Sequence, residues 1–90
     1  MMDEEILLRS LEEVAERLGI AVREESITLE EAASPGGLCR ISGKYVLILN
    51  SRADVGERIQ AALKALRQFN LDDIYMKPVL RDLLEGDHDP

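Results

Sequence analysis

The chain has 90 residues, 46% of them apolar and 32% charged, and a net charge of −7. That length fits one domain over 1–90, and the apolar share separates it from disordered chains. So acidic a balance excludes a general nucleic-acid binder, which needs clustered Lys and Arg on its contacting face, and no apolar run approaches the roughly 20 residues of a membrane span.

Leu7, Leu11, Val14 and Leu18 fall four, three and four apart, with Leu8 and Ala15 widening the stripe. This spacing predicts an amphipathic helix over 3–18, with Asp3, Glu4 and Glu5 at its positive end and Gly19 as its stop. Ile20 to Glu24 reads as a short strand and Ile27 to Leu29 as a weaker one. Ser34-Pro35-Gly36-Gly37 can sustain neither ladder nor helix, so a mobile loop is expected over 30–37.

Leu38 to Ile41, then Ser42-Gly43, then Lys44 to Asn50 predicts two antiparallel strands joined by a two-residue turn, with Gly43 supplying the positive φ. Tyr45 to Leu49 is apolar at both parities, as in a central strand covered on both faces. A helix over 54–69 follows, capped by Ser51 or Asp54, buried through Val55, Ile59, Ala62, Leu63, Leu66 and Phe69, and exposing Glu57, Gln60, Lys64 and Arg67. Asn70 tolerates the left-handed conformation that stops it. Leu71 to Lys77 forms a connector, Pro78 opens a last short helix, and 87–90 is expected to fray.

The fold class is therefore α+β: a small three- to four-stranded, mainly antiparallel sheet with helices packed on it, in the order α-β-(β)-β-β-α-α. Two helices suffice for one face of the sheet, which leaves only the short last helix and the connector for the other. A homodimer is expected on that ground.

The chemistry is sparse. A zinc site needs three or four ordered ligands, and the chain offers one cysteine, Cys39, and one histidine, His88, so neither metal nor cofactor is expected. Cys39 reads as a small buried hydrophobe without a base to activate it. A single cysteine forms no internal disulfide, and the acidic stretch Met1 to Glu5 is unlike the basic start of a signal peptide, so a cytoplasmic setting is expected. Residues 1–31 carry ten acids and three bases, 32–81 four acids and eight bases, and 82–90 four acids. These segments either neutralise one another within the fold or form opposed patches that orient a protein partner. Two readings follow: a non-enzymatic interaction or regulatory module that self-associates, and a small-anion or nucleotide binder or enzyme using the 34–52 loop and hairpin through Arg40, Lys44 and Arg52.

The stretch from Gly36 to Arg52, with Glu57-Arg58 and Phe69 to Tyr75, resembles a group of small uncharacterised bacterial proteins, which implies no particular activity. More distantly, 36–69 is similar to the minimal zincin metallopeptidases, in which a glycine-turn hairpin ending in Asn runs into the metal-bearing helix. The metal positions of that pattern fall on Leu63, Lys64 and Arg67, or on Lys64, Ala65 and Gln68. Neither register holds a His-Glu pair, so the resemblance implies a scaffold without the peptidase activity.

Overall fold

The computed structural model describes residues 3–26 and 36–85, and in it the first apolar stripe becomes helix α1 (Glu4–Arg17), which buries Leu8, Leu11, Val14 and Ala15. Gly19, at φ 87°, stops it: the Gly19 amide donates to the Glu16 carbonyl and the Ile20 amide to that of Ala15. This pair of bonds is the Schellman arrangement, and it drives Ile20 into the core. Strand β1 (Ala21–Glu25) follows, then β2 (Gly36–Ile41), β3 (Lys44–Asn50), α2 (Val55–Leu66) and α3 (Pro78–Glu85). The expected strand over 27–29, the loop over 30–35 and the tail with His88 lie outside the described residues.

The hairpin forms as its sequence predicts. Ser42 and Gly43 take φ of 52° and 80°, the two positive values of a type I′ turn. β2, however, starts two residues earlier than the glycines suggested. Gly36 belongs to it at φ 141°, where an added Cβ would collide with the Ile48 carbonyl oxygen. Only glycine permits the strand to begin there.

The sheet order is β1-β3-β2, with β2 antiparallel and β1 parallel to β3. The sheet is therefore mixed, and antiparallel pairing accounts for one of its two ladders. β3 is central, as its apolar run implied. In register, Val22 lies beside Leu47, and Leu38 lies on the other side of Leu47. Leu47 and Leu49 point to the helices and are fully buried in a cluster with Leu11, Ile59, Leu63 and Leu66.

Leu71, Met76, Leu80 and Leu84 join the same cluster. The connector and α3 thus pack with α1 and α2, not on the opposite face as expected. Among the described residues no helix covers the side of the sheet bearing Val46 and Ile48, although Val46 itself is buried. Cys39, paired with Val46 on that side, is exposed and not the buried hydrophobe anticipated.

α2 is shorter than its periodicity suggested. Asp54 occupies the N-cap position but its side chain makes no capping bond; the Asn50 side chain instead accepts the Arg52 amide at 3.0 Å. The helix ends at Leu66. Asn70 does not adopt a left-handed backbone, since Ser42 is the only non-glycine residue with positive φ among those described, and its side chain accepts the Asp72 amide at 2.9 Å.

Candidate functional site

The three cations nominated from the sequence do not converge. Arg40, on β2, lies over the Tyr45 ring at 5.1 Å, on the helix side of the sheet. Lys44 begins β3 next to the turn and has the parity of Val46, so it belongs to the opposite side. Arg52 follows the far end of β3, roughly 20 Å away at about 3.3 Å per residue, where its guanidinium reaches Ser26 Oγ at 3.4 Å. Of the Ser34 to Gly37 segment, Gly36 and Gly37 are strand residues, and Ser34 and Pro35 lie outside the described residues.

The positions matching the zincin metal helix have other tasks. Leu63 and Ala65 are buried in the core, Lys64 and Gln68 are exposed, and Arg67 donates to the carbonyl oxygens of Leu83 at 2.7 Å and Leu84 at 3.3 Å. Among the described residues no group of three or more His, Cys, Asp or Glu could hold a metal ion, and no helix is long and apolar enough to cross a membrane.

A concavity lies where β2 meets α2. It measures about 450 Å³ and is walled by Gly36, Gly37 and Leu38 on the strand, by Gln60, Ala61, Lys64 and Ala65 on the helix, and by Gln68 just past its end. Residue size helps to open it: Ala61 and Ala65, one helical turn apart, leave room on the helix wall that longer side chains would fill. Sequence reading placed Gln60 and Lys64 on the outer face of this helix but did not connect them to β2. The usable signal was the pair of small residues Ala61 and Ala65 at a spacing of four, on the side facing the glycine-rich strand.

The second surface is the side of the sheet away from the helices. Ala21, Arg23 and Glu25 of β1, Lys44, Val46, Ile48 and Asn50 of β3, and Gly37, Cys39 and Ile41 of β2 share it. Val46 is 7% exposed and Ile48 half-buried, while Ile41 at 44%, Cys39 and Ala21 are open. Arg23 and Glu25 pair at 2.6 Å, so this side carries little uncompensated charge besides Lys44.

Between α1, β1 and α2 a third, polar recess of about 190 Å³ gathers Glu5, Arg9, Glu12, Glu24 and Arg58. Arg58 meets Glu24 at 3.3 Å, joining the basic middle of the chain to its acidic start. Burial first, then the charges of Glu24 and Glu16, raise Glu12 above the usual glutamate range, against the pull of Arg58 and Arg9. The cluster holds carboxylates and guanidinium groups but no nucleophile, and Cys39, the only thiol, lies on the other side of the sheet.

Comparison of the chain with protein-family models, with curated proteins and with solved structures gives no match. None of the three supports the resemblance to minimal zincin metallopeptidases or to small bacterial proteins drawn from the sequence.

Proposed function

We propose that the chain is a non-enzymatic interaction module that self-associates through the side of its sheet away from the helices. The observation that carries this reading is the one-sided placement of the helices: α1, α2 and α3 contribute to a single core, and the opposite side presents Ile41, Cys39 and Ala21 around Val46 and Ile48. Exposed apolar surface on a sheet is removed from water most simply by a second copy of the same surface, which a two-fold axis makes self-complementary. A single exposed thiol with no intramolecular disulfide partner suits a reducing, cytoplasmic setting.

Size sets the expected strength. Three strands about 4.8 Å apart and roughly 20 Å long offer a few hundred Å² per copy, at the low end for protein association. The dimer is therefore expected to dissociate in the micromolar range. Light scattering on a sizing column should give a mass near twice 10.1 kDa at high micromolar concentration. Ile41→Asp, which buries a charge in the proposed interface but sits at an exposed site in the single chain, should return the monomer mass with an unchanged circular dichroism spectrum. A parent protein that stays monomeric on concentration overturns the reading.

A further inference from the structure

The edge of the sheet formed by β2 has a hydrogen-bonding capacity that no other described residue uses. Ile41 and Lys44 close the two-residue turn and are therefore a hydrogen-bonded pair. Antiparallel pairs alternate, so Cys39 with Val46 is hydrogen-bonded as well, while Leu38 and Arg40 aim their amide and carbonyl groups away from β3. Because β2 is an outer strand, those groups point over the edge, beside α2. They find no partner among the described residues. The wall of Gly36, Gly37, Ala61 and Ala65 lies alongside, open to an incoming side chain.

Charge then selects the occupant. Lys64 stands on the helix wall and Arg40 on the strand, and neither makes an ion pair among the described residues. Gln60 and Gln68 add amide donors and acceptors on the same helix wall. The one acid on this stripe of α2, Glu57, lies beyond Gln60 toward the helix start and does not line the groove. A second copy bound at this edge would set Arg40 and Lys64 against their own symmetry mates, which like-charge repulsion opposes. An acidic segment meets both cations with the opposite sign.

We propose that β2 and the facing side of α2 form a docking groove for an extended, acidic peptide segment of a partner protein, which pairs with Leu38 and Arg40 as a fourth strand and seats a carboxylate between Arg40 and Lys64. Strand addition of this kind draws affinity from main-chain hydrogen bonds and specificity from the pockets that alternate side chains enter. Here the specifying elements are a shallow apolar cleft over Ala61 and a cationic site one helical turn further on.

The test uses random dodecapeptides displayed on phage, selected on the folded full-length chain, with the strongest synthetic peptide then titrated into isotope-labelled protein. Selected sequences are expected to combine Asp or Glu with β-branched residues, and the peptide should shift the amides of Leu38 and Arg40 and the helix wall from Gln60 to Gln68. Lys64→Glu, at an exposed helix position, should weaken the peptide roughly tenfold and turn a repeated selection toward Lys and Arg. Ala61→Trp should fill the groove and abolish binding while distant amides stay in place. The proposal fails if no sequence is enriched, if the enriched ones carry no acidic bias, if shifts fall on Ala21, Val46 and Ile48 while Leu38, Arg40 and the helix wall stay in place, or if Lys64→Glu has no effect. It also fails if the groove amides shift with protein concentration alone, since a second copy then fills the groove. Ile41→Asp leaves this groove untouched, so loss of the dimer and loss of peptide binding are separate results.

Discussion

The rings of Tyr45 and Phe69 meet edge to face, their centroids 5.1 Å apart at an interplanar angle of 87°. Tyr45 belongs to the hairpin and Phe69 to the chain just beyond α2, so this contact fastens the end of the helix to the turn end of the sheet. It also positions the Tyr45 face on which Arg40 rests. Phe69→Leu keeps most of the volume but removes the ring edge, and should cost about 1 kcal/mol in urea denaturation. Loss of the aromatic edge should also free Arg40, seen as faster exchange of its guanidinium protons. A variant as stable as the parent would mean that the edge contact contributes nothing beyond apolar area.

Gly36 and Gly37 are neighbours with opposite tolerances. At Gly36 a Cβ meets the Ile48 carbonyl and the φ of 141° is a glycine conformation, whereas a Cβ at Gly37 has no atom within 4 Å. Gly36→Ala should therefore lower stability by about 3 kcal/mol, combining backbone strain with the displacement of β3. Gly37→Ala should stay within about 0.5 kcal/mol of the parent. Equal costs for the two would place the start of β2 elsewhere.

Arg67 bridges the end of α2 to the last turn of α3 through the carbonyls of Leu83 and Leu84. Those carbonyls have no partner within their own helix, and a cation at a helix C-terminus also meets its negative dipole end. Arg67→Ala should cost about 1.5 kcal/mol and speed amide exchange across α3 more than across α1. Arg67→Lys should recover less than half of the loss, because one ammonium lacks the fork that reaches both oxygens. Full recovery by lysine would reduce the bridge to simple charge.

The hairpin, the two long helices and the short one were legible because each is specified locally: Ser42-Gly43 for the turn, Gly19 for the stop of α1, and the stripes through Leu11 and Ile59. The parallel pairing of β1 was not. Its five residues include Arg23, Glu24 and Glu25, leaving Val22 as the main apolar guide, and its partner is chosen by where α1 lands. The exposure of Cys39 was hidden for a related reason. Alternation shows that Cys39 and Leu38 face opposite ways, but which way is inward depends on the side that the helices take. The groove is a joint property of two elements, and Lys64 on a predicted helix carries no mark of the strand edge beside it.

Glu12 gives the fold a pH dependence whose sign follows from its surroundings. Burial and the nearby acids raise its folded value above the ordinary one, so between those two values the native state binds more protons than the unfolded chain. Stability from this group therefore falls as pH rises through that interval and stays reduced above it. Glu12→Gln removes the buried charge and should melt at a higher temperature than the parent near neutral pH. The advantage should shrink as pH drops through the ordinary glutamate range, where the parent carboxyl becomes protonated too. Melting curves across that range check this, and a constant offset at every pH would assign the effect to packing.

The two ladders of the sheet differ in how much chain they enclose. Ile41 meets Lys44 across a turn of two residues, whereas Ala21 must find Val46 far along the sequence. Each doubling of an enclosed loop adds about 0.6 kcal/mol of closure entropy, so zipping β1 onto β3 starts about 2 kcal/mol behind zipping β2. The early half of folding is then expected to be β2, β3 and α2, a block contiguous from Gly36 to Leu66. Both walls of the groove, Gln68 apart, lie inside that block. An excursion that detaches β1 would leave the groove standing, so its lifetime need not be limited by the slowest-forming part of the sheet.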